Sequence, residues 1–180
     1  MTVLQHVLMC DVEREALLAE LETLTHQDQT GWKKQAIGKH AARMAEVSER
    51  LEVIDSNYAE TKARTILRGL GFSDEALQRP SSDFSGGWRM RLAIAKVIFC
   101  EPEILMLDEP TNHLDLPALI WLENYIQELD CTIIIISHAR DFLNATVEEI
   151  IHFQSSKLTY YKGNFDQVEK TKNEKDRNQR

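Results

Sequence analysis

Features that define several classes of protein are missing from this 180-residue sequence. No apolar run approaches the ~18 residues that a membrane-spanning helix needs, and the first residues show no basic stretch leading into an apolar one. The three cysteines, Cys10, Cys100 and Cys131, lie far apart and form no CxxC pair, which argues against a disulfide framework and a zinc site. We therefore expect a soluble, cytoplasmic protein without a membrane partner.

Positive charge is also scarce, because 21 Lys and Arg side chains stand against 29 Asp and Glu side chains, a net charge of -8. A surface of this sign repels a nucleic-acid backbone, so we expect no DNA partner and only local contact with RNA. The composition is otherwise globular, with 43% hydrophobic and 28% charged residues. The length suits one domain or two small ones.

The first half of the sequence has helical periodicity. Apolar residues between Val3 and Leu24 mostly recur every three or four positions and predict an amphipathic helix. A second series of apolar residues with the same spacing predicts a helix that packs against another helix. Its members are Met44, Val47, Leu51, Ile54 and Tyr58. Together the two helices predict a hairpin, followed by a short helix over about 61–70 that ends at Gly71.

Strands and helices alternate in the remainder. Strands are predicted at 104–107, 132–136, 149–153 and 158–161, and helices at 89–99, 117–129 and 140–145. Apolar strands separated by helices indicate a parallel sheet that is covered on both faces. The charged residues 169–180 predict a solvated helix or a frayed tail.

The first element that could carry chemistry is an apolar strand that runs into two adjacent carboxylates, Asp108 and Glu109. The carboxyl ends of parallel strands form the edge at which open α/β sheets bind ligands. In a phosphoryl-transfer site the first carboxylate would hold Mg²⁺ and the second would orient an attacking water. The structural alternative is a strand end that simply emerges into solvent.

Two further elements accompany these carboxylates. Ser85, Gly86 and Gly87 begin a helix, where a Ser N-cap and exposed N–H groups could cradle an anion. His138 follows the β-branched strand 132–136. Taken alone, such a glycine turn is more often only a loop, and such a histidine is more often a packed or capping residue than a phosphate sensor.

In this order and spacing, the three elements resemble the second half of an ATP-binding cassette (ABC) nucleotide-binding domain. The resemblance implies that Ser85, Gly86 and Gly87 form the signature and that Asp108 is the Walker B aspartate, a Mg²⁺ ligand. It also implies a D-loop at Leu114 and Asp115. It implies further that Glu109 is the catalytic glutamate and that His138 is the switch histidine. The implied cofactors are ATP and Mg²⁺, and the implied partner is a second cassette, whose ATP the signature contacts.

Finer features are similar to the first cassette of a eukaryotic subfamily F ABC protein, a group that acts on ribosomes and translation control. Phe84 and Trp88 flank the signature, and the runs 121–125 (WLENY) and 161–165 (YKGNF) match this subfamily. The resemblance implies a ribosome or ribosomal RNA as a further partner. One departure is Ala139, where the family usually has Asp.

A Walker A loop, G-x-x-x-x-G-K-[ST], is absent from the sequence. The nearest decoy, Gly38-Lys39, is followed by His40 and lacks the first glycine. We therefore expect a fragment that begins after the Walker A loop, and an isolated chain that does not turn over ATP.

The predicted fold class is α/β, a partial P-loop NTPase ABC cassette that combines a helical subdomain, its hairpin insertion and the C-terminal part of the parallel-sheet core. The predicted domains are a helical subdomain at 1–83, the signature, Walker B, D-loop and switch region at 84–168, and a charged tail or inter-cassette linker at 169–180.

Three alternatives remain open at this stage. The chain could be the cytosolic ATPase subunit of an ABC transporter, although the Phe-Ser-Gly-Gly-Trp signature favours subfamily F. A chromosome-maintenance ATPase would need a far longer coiled coil than the hairpin. A non-catalytic interaction module could use the local basic and aromatic group at the hairpin tip, Trp32, Lys33, Lys34 and Lys39, which is otherwise a solvated loop.

Overall fold

The computed structural model describes residues 1–28 and 30–178. It divides into two compact units, residues 1–102 and 103–180. The division predicted from the motifs, at 83/84 and 168/169, concerns function rather than packing and stays a prediction. Gln29 and residues 179–180 of the predicted charged tail lie outside the described residues.

The first unit is built from helices. They are α1 (Val3–Leu8), α2 (Val12–His26), α3 (Lys34–Val53), α4 (Ser56–Gly69), α5 (Asp74–Leu77) and α6 (Gly86–Phe99), with a 3-10 turn at Ser81–Asp83. Helices α1, α4 and α6 pack against one another. Their buried side chains include Val3, Val7, Ala63, Leu67, Ala95 and Ile98.

The single helix predicted between Val3 and Leu24 is in fact two. Helix α1 ends at Leu8, and Asp11 caps a new helix because its Oδ1 accepts a hydrogen bond from the N–H of Arg14 at 3.0 Å. The side-chain acceptor satisfies a backbone N–H that, in a continuous helix, would have donated to a carbonyl one turn earlier. The periodicity of apolar residues continued across the break and concealed it.

The predicted hairpin is present as α2 and α3. Arg43 pairs with Glu20 and Arg50 with Glu13, both at 2.6 Å, so that residue numbers rise on one helix as they fall on the other. The two helices are therefore antiparallel. The predicted helical seam ends early, because Asp55 adopts a left-handed φ of 52° and starts α4 at Ser56.

The second unit contains four strands and three helices among its described residues. They are β1 (Ile104–Asp108), α7 (Leu116–Glu128), β2 (Thr132–Ile136), α8 (Arg140–Thr146), β3 (Glu149–Gln154), β4 (Lys157–Lys162) and α9 (Phe165–Asn178). Strands β1 and β2 are parallel, in register from Ile104 opposite Thr132 to Asp108 opposite Ile136. Strands β3 and β4 form a separate antiparallel hairpin, because only two residues join them and a parallel connection needs many more.

Among the described residues, one face of the β1–β2 sheet is buried and the other is open. Leu105 and Leu107 are buried, whereas Met106 on the opposite face is 74% exposed. Ile104, Ile134 and Ile136 share that open face. The expectation of a sheet covered on both faces is thus not met by the described residues.

Candidate functional site

The carboxyl ends of β1 and β2 bring three of the predicted site residues to one edge. Asp108 is the last residue of β1 and lies opposite Ile136, the last residue of β2. The backbone N–H of Glu109 then donates to the carbonyl of Ile136 at 2.7 Å. Because the strands are parallel and in register, His138 emerges beside Glu109. The structure therefore assembles Asp108, Glu109 and His138.

The Glu109 side chain has a buried oxygen without a hydrogen-bond partner. Its Oε1 is inaccessible to solvent and accepts no hydrogen bond from the described residues. Nε2 of His138 lies 3.6 Å away, too far for a hydrogen bond, and the His138 side chain is 98% exposed. A carboxylate oxygen is an acceptor only, so Oε1 keeps an unused acceptor next to the imidazole, while the Glu109 side chain as a whole is 26% exposed.

The backbone places Glu109 in this position at a conformational cost. Its φ is 47°, in the left-handed region that costs an L-residue roughly 1–2 kcal/mol. Uncommon backbone geometry of this kind concentrates at functional sites. Nothing in the sequence predicted this backbone conformation, since the adjacent Asp108 and Glu109 indicated only a strand end.

Asp108 is exposed at the strand end and offers a carboxylate to a ligand. No group of three or more His, Cys, Asp or Glu side chains in the described part of the chain could hold a metal ion. Mg²⁺ commonly takes one or two protein carboxylates and completes its shell with water and substrate phosphates. A single exposed carboxylate fits that pattern.

The predicted D-loop has a structural task of its own. Asp115 is the N-cap of α7, and its Oδ1 accepts from the N–H of Ala118 at 3.2 Å, with Pro117 in the first turn. The preceding loop turns tightly, with His113 at a φ of 67°. A role for Asp115 beyond this cap remains a prediction.

The predicted signature begins α6 in the first unit. Ser85 is the N-cap, yet its hydroxyl makes no capping hydrogen bond. Ser85 and Gly86 are exposed, and a Cβ added to Gly86 would meet no atom within 4 Å. The first N–H groups of any α-helix lack intrahelical acceptors, so the positive end of this 14-residue helix is open to an anion.

An aromatic cluster fixes the segment that leads into α6. The ring of Phe72 lies edge-on to Phe84 and Trp88, with centroids 5.7 and 4.9 Å apart. The guanidinium carbon of Arg79 lies over the Phe84 ring, 5.1 Å from its centroid. Phe84 and Trp88, which marked the family resemblance, therefore anchor the signature by packing.

Arg91 and Gly71 complete this support and were not identified from the sequence as site residues. Arg91 is only 7% exposed; its Nη1 donates to the carbonyl of Leu70 at 3.0 Å, and its guanidinium lies 4.6 Å from the Trp88 ring. Gly71, predicted as a helix cap, has a φ of 94° and leaves room for that guanidinium. Arg side chains are mostly exposed in folded proteins, so the sequence carried no signal that Arg91 is buried.

Ala139 leaves the switch region without a side-chain cap. It is the N-cap residue of α8, and no side chain accepts from the first turn of that helix. Instead, the hydroxyl of Ser137 accepts from the N–H of Ala139 at 3.1 Å. The helix that follows His138 therefore begins without a side-chain cap.

Comparison with known proteins identifies the family. A family model described as "ABC transporter" matches residues 6–112. The chain is similar to "ABC transporter F family member 3" of Arabidopsis thaliana, 45% identical over 189 residues that cover 99% of this chain and 26% of that protein. It is 47% identical to "ATP-binding cassette sub-family F member 3" of Homo sapiens over 176 residues, 98% of this chain and 24% of that protein. The chain thus spans about a quarter of the length of these relatives.

The solved structures confirm the predicted fold class. One described as "Structure of ATP binding subunit of ABC transporter" matches 95% of this chain and 56% of its own, with a TM-score of 0.60 at 15% identity. Within the described residues, no helix combines the length and apolarity needed to cross a membrane. The chain belongs to the ABC transporter family, the ATP-binding cassette proteins, and its curated relatives are members of subfamily F.

Proposed function

We propose that this chain supplies the signature, Walker B, D-loop and switch elements of an ATP-hydrolysing site in a subfamily F ABC protein. The observation that carries the proposal is the buried, unpartnered Oε1 of Glu109 at 3.6 Å from Nε2 of His138. The Glu109 side chain is 26% exposed, and a carboxylate that reaches solvent beside an imidazole at a sheet edge is suited to orienting a water molecule.

The residues divide the reaction among them. Glu109 accepts a hydrogen bond from the attacking water and polarises it, and His138 donates a hydrogen bond to the γ-phosphate. Water attacks the γ-phosphorus, the bond to the β–γ bridging oxygen breaks, and the products are ADP and phosphate. Asp108 supports Mg²⁺, which neutralises charge on the phosphate oxygens when it is bound.

The signature works on a different nucleotide. The sequence has no G-x-x-x-x-G-K-[ST] loop, so a Walker A loop from outside this chain holds each ATP. Ser85, Gly86 and Gly87 face the ATP of a second cassette, and Asp115 lies on the D-loop of the same closed pair. The open N-terminus of α6 supports this role, because its N–H groups and helix dipole favour a phosphate.

We also propose a cellular role. We place the complete protein in the cytoplasm, as the first of two cassettes in one chain, with ATP-driven closing and opening coupled to the ribosome and to control of translation. The similarity to subfamily F members over nearly the whole chain supports this placement over a subunit of a membrane transporter.

Titration of the isolated chain with Mg-ATP in a calorimeter tests the division of labour. We expect no saturable heat in the micromolar range, because the phosphate-holding loop is absent from the sequence. Micromolar affinity for Mg-ATP would contradict the assignment.

A further inference from the structure

Two of the three cysteines lie next to each other in the first unit. Cys10 follows the last turn of α1, and Cys100 is the C-cap of α6. The Sγ of Cys100 lies 3.6 Å from the carbonyl oxygen of Cys10, although 90 positions separate the two residues. Both are free thiols, and the third, Cys131, belongs to the second unit.

The two thiols share a solvent-connected cavity. A cavity of about 470 Å³ is lined by both cysteines, by Asp11 and Asp55, by the apolar side chains of Tyr58 and Phe99, and by Lys62. Cys100 is exposed and Cys10 partly exposed. A small thiol-reactive molecule therefore has room to reach either sulfur.

Polar contacts keep Cys100 beside Cys10. Lys62 donates to the carbonyl of Phe99 at 2.8 Å and pairs with Glu101 at 2.8 Å, which holds the C-terminal end of α6. The Sγ of Cys10 donates to the carbonyl of His6 at 3.3 Å. Burial, with the neighbouring Cys10 and Asp11, raises the pKa of the Cys100 thiol despite the opposing charge of Lys62, so the Cys100 thiol is protonated at neutral pH.

We propose that Cys10 and Cys100 form a redox-responsive dithiol, which a low-molecular-weight disulfide such as oxidised glutathione converts to an intramolecular disulfide. One protein thiolate attacks a glutathione sulfur and releases glutathione thiolate. The second protein thiolate attacks the resulting mixed disulfide, forms the Cys10–Cys100 bond and releases the second glutathione. The two protein thiols are oxidised, the glutathione disulfide is reduced to two thiols, and the two protons pass to glutathione.

The bond would tie the α1–α2 junction to the C-terminal end of the signature helix. Helix α6 begins at Gly86 and ends at Phe99, so oxidation restrains the helix that carries the signature. This consequence rests on the proposed function, whereas the thiol chemistry does not.

The test uses a Cys131→Ser chain, in which only the two proposed partners remain. After incubation with oxidised glutathione and quenching by N-ethylmaleimide, the intact monomer should be two hydrogen atoms lighter and carry no maleimide. Cys10→Ser or Cys100→Ser in the same background should stop at a single glutathione adduct. Oxidation should proceed at least ~10-fold faster in buffer than in urea, because the fold raises the effective concentration of one thiol at the other.

Two results would overturn the proposal. One is a product that carries two glutathione adducts, or a disulfide-linked dimer, without the internal bond. The other is a rate in urea equal to the rate in buffer, since closure would then owe nothing to the fold. Neither result depends on ATP turnover, so the outcome stands apart from the proposed function.

Discussion

A Cβ atom on Gly71 would lie 2.8 Å from Nη1 of Arg91, closer than a side-chain carbon can approach without a shift. The same guanidinium donates to the carbonyl of Leu70 and lies over the ring of Trp88. The turn that ends α4 is thus shaped around an arginine of the signature helix. Through this contact, a backbone position far from the signature in sequence helps to position it.

Gly71→Ala should therefore destabilise the first unit by at least about 2 kcal/mol. The left-handed φ alone costs an L-residue roughly 1–2 kcal/mol, and the displaced guanidinium would leave buried hydrogen bonds unmade. Urea unfolding followed by tryptophan fluorescence measures the loss.

Gly38→Ala is the matched control. Gly38 lies exposed in α3, and an added Cβ would meet no atom within 4 Å. Here alanine should raise the free energy of unfolding by about 0.5–1 kcal/mol. If alanine changed the free energy of unfolding equally at both glycines, the contact between Gly71 and Arg91 would make no contribution to stability.

Ala139→Asp should stabilise the second unit by about 1 kcal/mol. The new carboxylate would cap α8, which has no side-chain cap, and would favour the positive end of the helix dipole. Ala145→Asp, at the opposite end of α8, should have the opposite sign. Chemical denaturation of both variants checks the prediction, and it is wrong if the two substitutions act alike.

The free energy of unfolding should depend on pH through Glu123. Burial, followed by the nearby charge of Asp141, raises the pKa of Glu123. A raised pKa means that the folded chain binds the proton more tightly, so the stability it contributes is present in acid and is lost as the pH rises through that pKa.

Glu123→Gln should consequently stabilise the chain at neutral pH, by up to about 0.5 kcal/mol for this partly exposed group. The advantage should disappear once the pH falls below the ordinary carboxyl range, because both side chains are then uncharged. Unfolding curves at several pH values provide the measurement. A gain that persists undiminished in acid would point to a cause other than charge.

The open face of the β1–β2 sheet should bind a hydrophobic dye. Met106 and Ile134 project from it with 74% and 48% exposure, and apolar patches of this kind promote association. Met106→Thr combined with Ile134→Thr should lower the fluorescence of the bound dye by roughly half or more, since they remove most of the central patch. Thr132→Ser on the same face should leave the signal unchanged.

The strands and helices of the second unit could be predicted from the sequence, because short β-branched runs mark the strands and turn residues mark where the elements end. Thr132–Ile136 is the strand that was predicted. The sequence could not reveal that, among the described strands, β3 and β4 pair with each other and not with β1 or β2, since pairing depends on distant strands. The break at Asp11 was missed for a local reason, because one hydrogen-bonding cap outweighed a continuous apolar period.

The site was predicted in part. Motif order placed Asp108, Glu109 and His138, and the parallel register brings them together as predicted for a strand-end site. The left-handed backbone of Glu109 and the buried Arg91 depend on three-dimensional packing. Neither feature can be inferred from the periodicity of apolar residues in the sequence.

The most direct test is the rate of ATP hydrolysis by a full-length protein that carries this segment, with Glu109→Gln compared with Glu103→Gln. Glu103 precedes the same strand but is exposed and away from the strand's carboxyl end. Because the amide of Gln cannot polarise water as a carboxylate does, we expect Glu109→Gln to retain ATP while turnover falls at least ~100-fold. Glu103→Gln should hydrolyse ATP at the parent rate. Unchanged turnover in Glu109→Gln would contradict the account.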